Sequence, residues 1–355
     1  MRGWFRKLLS EERGVIAVVV ALGLPALVGL TGAAVDMGMV YSARGQLQNA
    51  ADSAALAAAS EMIGVDAGGM ALAQPSAALA AAHYYTQAHK AVDVNLTMLE
   101  SDFVIGKWDS DAGAFSYTGF SSDPNDLTAA EVTIRRDNQA NTPVSTFFAR
   151  ILGLSEVELS ATSVAHRGNA GGVGDGDSEV PIVISPETIV DGGEPDCDRW
   201  ITIHDYPGTD NGTGWTTFKK YYRTEYDLRK YVTGYWVAPD MEVGDTLYVF
   251  GWTLSYQVFR DLKNRWLARG GGDWLVTVPV VGNADGGDGP IYLCHSDTPT
   301  KVLGFAKLII TEVKQYYQDG KNEVTAKLIC DMVQPGSQTG GHNFGLRAER
   351  PVLIN

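Results

Sequence analysis

Residues 12–59 read ERGVIAVVVALGLPALVGLTGAAVDMGMVYSARGQLQNAADSAALAAA, and two helical patterns meet inside them at Asp36. The 22 residues from Gly14 to Val35 carry no charge. At about 1.5 Å per residue a helix of that length reaches roughly 33 Å, enough for a bilayer core. Arg13 and Asp36 bound it. Pro25 falls mid-span, where neighbouring groups can re-satisfy the backbone it frees. Gly29 and Ala33 are small enough to admit a second helix, so an oligomer through this segment is one expectation. A cleaved secretory signal competes with the retained anchor, with Thr31 and Ala33 as a small-residue cleavage site. Signal peptides ordinarily have a shorter apolar core, so the retained anchor is favoured.

The pattern does not break at Asp36. Val40, Leu47, Ala51, Ala54, Ala58 and Met62 recur at helical spacing, while Arg44, Gln48, Asp52 and Glu61 lie largely off that stripe. Alanine dominates and favours helix. The span is therefore expected to run on into an amphipathic helix. Its small-residue face would pack closely against either a partner helix or its own domain.

Charge supplies an orientation. Arg2, Arg6, Lys7 and Arg13 against Glu11 and Glu12 give residues 1–13 a charge of +2, and the whole chain carries −14. Positive residues ahead of a span stay in the cytoplasm, which puts the acidic body outside it. An acidic body also argues against nucleic acid as a partner, since phosphate contacts need a basic surface. With 355 residues, 45% of them hydrophobic, the chain is long enough for two folded units beyond the span.

Beyond the helix, Pro75 opens a second helix over 75–91. Strands are expected at 103–108, 114–120, 130–136 and 157–167, with a short helix at 142–153 stopped by Gly153. The run GNAGGVGDGDSE (168–179) reads as a linker. Residues 180–355 hold six of the eight Trp and eleven of the fifteen Tyr. They read as β-rich, with strands at 181–185, 199–206, 245–252, 273–281, 301–313 and 322–333 and helices at 258–269 and within 217–232.

No catalytic, cofactor or metal constellation emerges. Cys197, Cys294 and Cys330 show no Cys-x-x-Cys spacing, and there is no phosphate-binding Gly-rich motif. Outside the cytoplasm a disulfide is plausible. Cys294–Cys330 is favoured because the two flank the strands at 301–313 and 322–333, with Cys197 as the alternative member. Asp285 and Asp288 in GNADGGDGP (282–290) suit a turn that needs no ligand. His204-Asp205 is a strand dipeptide whose side chains point to opposite faces.

The opening stretch resembles the amino-terminal region of TadG-like proteins of the Tad (tight adherence, Flp) pilus system. The resemblance rests on Glu12-Arg13-Gly14, the exit Ala34-Val35-Asp36, Tyr41 and Arg44, and on Gln48-Asn49-Ala50-Ala51-Asp52 with Ala54, Ala55, Leu56 and Ala57. TFFARILGL and VELSATSVAHR within 146–167 are similar to the end of that family's first extracytoplasmic domain. Two departures matter. The Asp-x-Ser-x-Ser metal motif of a von Willebrand factor A-type domain is missing, so no metal site is carried over. The fifth residue after Gly14 is Val19 rather than Glu, so pilin-like maturation is not expected.

The expectation is then an α+β protein: a cytoplasmic tip (1–13), a transmembrane helix (14–35), a helix on a small sheet forming a pilin-like unit (36–167), a linker (168–179) and a separate β-rich domain (180–355). The resemblance implies a non-enzymatic component of pilus assembly in the bacterial inner membrane. Its bulk would be periplasmic, in contact with membrane lipid and with pilus-assembly or pilin-like membrane proteins. The alternative is an anchored adhesin whose aromatic-rich C-terminal domain binds glycan or a surface, a reading that requires exposed Trp side chains.

Overall fold

The computed structural model of the chain describes residues 12–109, 112–205, 212–221, 224–250, 253–283, 299–316 and 322–354. Glu12–Glu61 form one unbroken helix, α1, whose 50 residues give about 75 Å at the usual rise. Pro25 lies inside it. Only 6% of its most apolar 18-residue window is buried, and Leu22, Leu27, Leu30 and Val35 all stand exposed. By length and composition this helix can cross a membrane.

From Ala43 onward the same helix becomes a core element. Leu47, Ala50, Ala51, Ala54, Ala55, Ala58, Ala59 and Met62 are fully buried. A short hairpin, Ile63–Val65 with Ala71–Ala73, reverses the chain into α2 (Pro75–Gln87), which begins with Pro75 in its first turn. α2 buries Ala78, Ala82 and Thr86, so alanines pack on alanines and the two helices approach closely. The helices cover one face of a five-stranded antiparallel sheet formed by β1 (Phe103–Asp109), β2 (Ala114–Tyr117), β3 (Ala129–Arg136), β4 (Leu159–His166) and β14 (Val352–Ile354). Its order is β14-β4-β3-β1-β2. β3 alternates buried and half-buried residues, the pattern of a central strand with one face on the core.

The β-rich remainder is built on a seven-stranded sheet. Its strands are β5 (Ile182–Ile184), β6 (Trp200–His204), β7 (Thr213–Thr216), β8 (Thr246–Phe250), β9 (Trp274–Gly282), β10 (Pro299–Lys314) and β11 (Glu323–Ile329). They run in the order β6-β11-β10-β8-β7-β5-β9. β9 also pairs along β10, so five strands close into a ring of pairings. Helices α3 (Glu225–Val232) and α4 (Tyr256–Ala268) join one core with Val276, Val278 and Leu308. A second core sets Val302 and Phe305 against Met332 and Leu346, from the parallel pair β12 (Met332–Gly341) and β13 (Leu346–Arg350).

Four expectations need correction. Residues 168–179 are not a free linker, because Asn169–Ala170 pairs with both β12 and β13 and Gly172–Val173 pairs with Met241–Glu242. The glycines serve close packing here: a Cβ at Gly341 would lie 2.1 Å from the Ala170 carbonyl oxygen. The β-rich part is not confined to its own sheet, since β14 returns to pair with β4, His166 opposite Val352. The strand expected over 322–333 is two, interrupted where Asp331 takes φ 57°. The helix expected over 142–153 is a hairpin, Val144–Ser145 paired with Glu156–Val157, and only Ala149–Leu152 turn as 3-10 helix at its tip.

Candidate functional site

The most constrained place beside the apolar span is its exit. Asp36, almost fully buried, accepts hydrogen bonds from the backbone N–H groups of Phe147, Phe148 and Ala149 at 2.8, 2.9 and 2.6 Å. These amides open the 3-10 turn at the hairpin tip, where backbone donors lack partners of their own. One turn earlier, Gly32 lies beneath the Phe148 ring, and a Cβ there would come within 2.4 Å of Cγ. Glycine is required for that approach. Gly153, with φ 88°, closes the tip.

Arg136 holds the base of the same region. It donates from Nε to the carbonyls of Asn141 and Thr142, from Nη1 to Ala91 and from Nη2 to Pro143. Asn141 and Thr142 both sit at positive φ, so the guanidinium fixes a turn that their own preferences disfavour. Burial lowers its pKa below the ordinary arginine value.

Arg167 performs a similar task at the far end of α1. Its Nη1 donates to the carbonyls of Ser60 and Ile63 at 2.7 and 2.6 Å, and its Nε to Ala348 at 2.9 Å. One buried cation thereby joins the negative end of the long helix to β13. Burial lowers its pKa to about 10, so it stays charged at neutral pH. Beside it, burial lowers the pKa of His166 to about 4.

Of the two coverings open to the small-residue face, a partner helix or the chain's own domain, the structure shows the second. Leu47, Ala51, Ala54, Ala58 and Met62 are fully buried under the chain's own sheet and α2, and Val40 is half-buried at the edge. That face is taken intramolecularly because the sheet supplies the apolar surface it complements. Of the anchor residues, Pro25, Gly29 and Val35 lie on exposed α1, and the side-chain surroundings of position 14 are outside the described residues.

The disulfide expectation is also corrected. Cys330 bonds to Cys197, with Cα atoms 5.6 Å apart, and Cys294 lies outside the described residues. The strand pairing explains it: β6 and β11 are neighbours, and their ends bring 197 and 330 together. Cys197 therefore offers no thiol beside His204. The Asp205 carboxylate accepts from the amide of Asn322, at 2.6 Å from Nδ2. Among the described residues no cluster of three or more His, Cys, Asp or Glu side chains is placed to hold a metal. Asp285 and Asp288 lie outside them.

Of the tryptophans needed for a stacking surface, Trp215 and Trp274 are core, Trp236 is half-buried between Lys220 and Lys230, and Trp200 is exposed. Trp252 is outside the described residues. Tyr221, Tyr226 and Tyr235 are exposed, and Lys230 lies over the rings of both Tyr226 and Trp236. The hairpin, the Asp36 cradle and the arginine clamps carried no sequence signature beyond the acidic residue at the end of the span.

Comparison with known families adds two matches. Residues 14–61 match the family described as Flp pilus-assembly TadE/G-like, and residues 38–165 match that described as Tad-like Flp pilus-assembly. No curated protein and no solved structure matches the chain.

Proposed function

We propose that this chain, whose residues 14–165 match Flp pilus-assembly families of TadE/G-like and Tad-like proteins, is a non-enzymatic, membrane-anchored assembly component. The observation that carries this reading is the single helix α1, exposed and apolar at one end and clamped into a sheet at the other. Such a helix couples a folded body to a bilayer without a flexible joint. The basic tip before the span favours a cytoplasmic N-terminus and a periplasmic body at the inner membrane. The long helix laid on a small sheet is read here as a pilin-like unit, suited to contact with pilus subunits or secretion-channel proteins.

With the Ala-rich face covered, the partner surface on α1 is the stretch between the span and the packed part, where Met37, Tyr41 and Arg44 are exposed. The test is in-cell photo-crosslinking from Tyr41 and Arg44, with membrane fractionation and mass spectrometry of the adducts. Membrane-fraction adducts to pilin-like or channel proteins are expected. Unchanged piliation on deletion, together with adduct-free protein, overturns the reading. An adhesin remains the second reading, favoured by the exposed Tyr221, Tyr226 and Tyr235, and Tyr226→Ala with Tyr235→Ala would abolish surface adhesion while sparing pilus assembly.

A further inference from the structure

We propose that the hairpin spanning 144–157 is a second membrane contact, its tip immersed in the lipid of the outer interfacial layer beside the span. This rests on reading α1 as membrane-spanning. Phe147, Ile151, Leu152 and Leu154 are 74%, 83%, 84% and 64% exposed, although all are large and apolar. They project from one short tip, beyond the two-residue ladder of Val144–Ser145 with Glu156–Val157. A contiguous apolar patch of this kind marks an interaction surface.

Its position identifies the occupant. Phe148 sits over Gly32, inside the uncharged run, and the three amides that follow Thr146 are fastened to Asp36, the first charge after it. The tip is therefore held at the depth where the span leaves the hydrocarbon. Val35 and Met37, which flank Asp36 along α1, are exposed and apolar as well. Arg150 is exposed on the same turn, placed for lipid phosphate, and Tyr41 stands exposed further along the helix, where amphipathic rings favour the headgroup layer. Asp36 resolves the accompanying difficulty: its carboxylate and the tip's three unpaired amides satisfy one another, so neither enters the interface bare. Two contacts at one depth fix the tilt and rotation of the body over the membrane, which one helix alone does not.

The test uses the full chain on a Cys294→Ser background, which leaves the Cys197–Cys330 disulfide in place. It is reconstituted at one copy per nanodisc of phosphatidylethanolamine and phosphatidylglycerol. Nitroxides are attached separately after Leu152→Cys, Val28→Cys on the span and Tyr117→Cys on the far edge strand. Relaxation by oxygen and by a water-soluble nickel chelate reports depth. At 152 the ratio of oxygen to nickel accessibility is expected to exceed that at 117 several-fold and to approach that at 28. A ratio at 152 equal to that at 117, with 28 still in lipid, overturns the second contact and spares the anchor. An immobilised label at 152 shielded from both reagents shows a protein-covered tip and also overturns it. A water-exposed label at 28 overturns both readings.

Discussion

His166 and Arg167 are adjacent, and burial pushes both toward neutrality with different consequences. The folded chain holds His166 at a pKa of about 4 against an ordinary 6.5, because burial disfavours the charged ring. On acidification the unfolded chain therefore binds the proton first. The stability is full above pH 6.5 and falls as pH drops toward 4, by at most about 3 kcal/mol. The His166→Gln variant is expected to lose less stability between pH 7 and pH 5 than the parent, as thermal melts at the two values would show. Arg167→Met leaves the Ser60, Ile63 and Ala348 carbonyls without their donor, and a loss of roughly 3 kcal/mol is expected in denaturant titration. Gly32→Val acts differently. Its Cβ meets the Phe148 ring, so the hairpin should lift from α1, seen as increased proteolysis between 147 and 154 with the core's stability unchanged.

At the scale of elements, α1 shows what periodicity reveals and what it leaves out. The spacing of Val40, Leu47, Ala51, Ala54, Ala58 and Met62 disclosed a helix with a narrow apolar face, and all but Val40 are fully buried. Spacing says which side is buried and is silent on what covers it, so an intramolecular sheet and a partner helix read alike. The strands at 103–108 and 130–136 were legible because alternation survives in β1 and β3. β12, β13 and β14 were not, since MVQPGSQTGG and LRAER lack alternation and owe their pairing to long-range neighbours. The tip at 147–154 misled for a related reason: TFFARILG has helical composition, but the amides bound to Asp36 allow it only one 3-10 turn. A close alanine interface also predicts a sign. Ala54→Leu on the fully buried face overpacks the contact with the sheet and should cost about 1–3 kcal/mol in denaturant unfolding. Tyr41→Ala on the exposed side should leave stability within error while weakening any partner contact.

Across the whole molecule, distant segments return to one another, and this return makes the body rigid. β14 closes the first sheet, Ala71 donates to the Asp331 carbonyl at 2.6 Å, and Arg347 reaches both Asn125 and Asp331. The apparent linker is consequently a set of paired strands, and force applied to the body should pass to α1 through Arg167 and β14 without an intervening hinge. The Cys197–Cys330 bond closes a long covalent loop within this arrangement, with a sequence separation of 133. Chain-entropy reasoning gives close to 5 kcal/mol for such a loop as an upper value, and native disulfides typically contribute about 2–5 kcal/mol. Cys197→Ser should therefore lower unfolding stability by an amount in that range in oxidising buffer, and the difference should vanish when both proteins are reduced. Cys294→Ser should change neither the stability nor the mobility shift between reducing and non-reducing gels. Loss of the shift in Cys294→Ser, with its retention in Cys197→Ser, would assign the bond to Cys294–Cys330 instead and would separate β6 from the end of β11 as covalent neighbours.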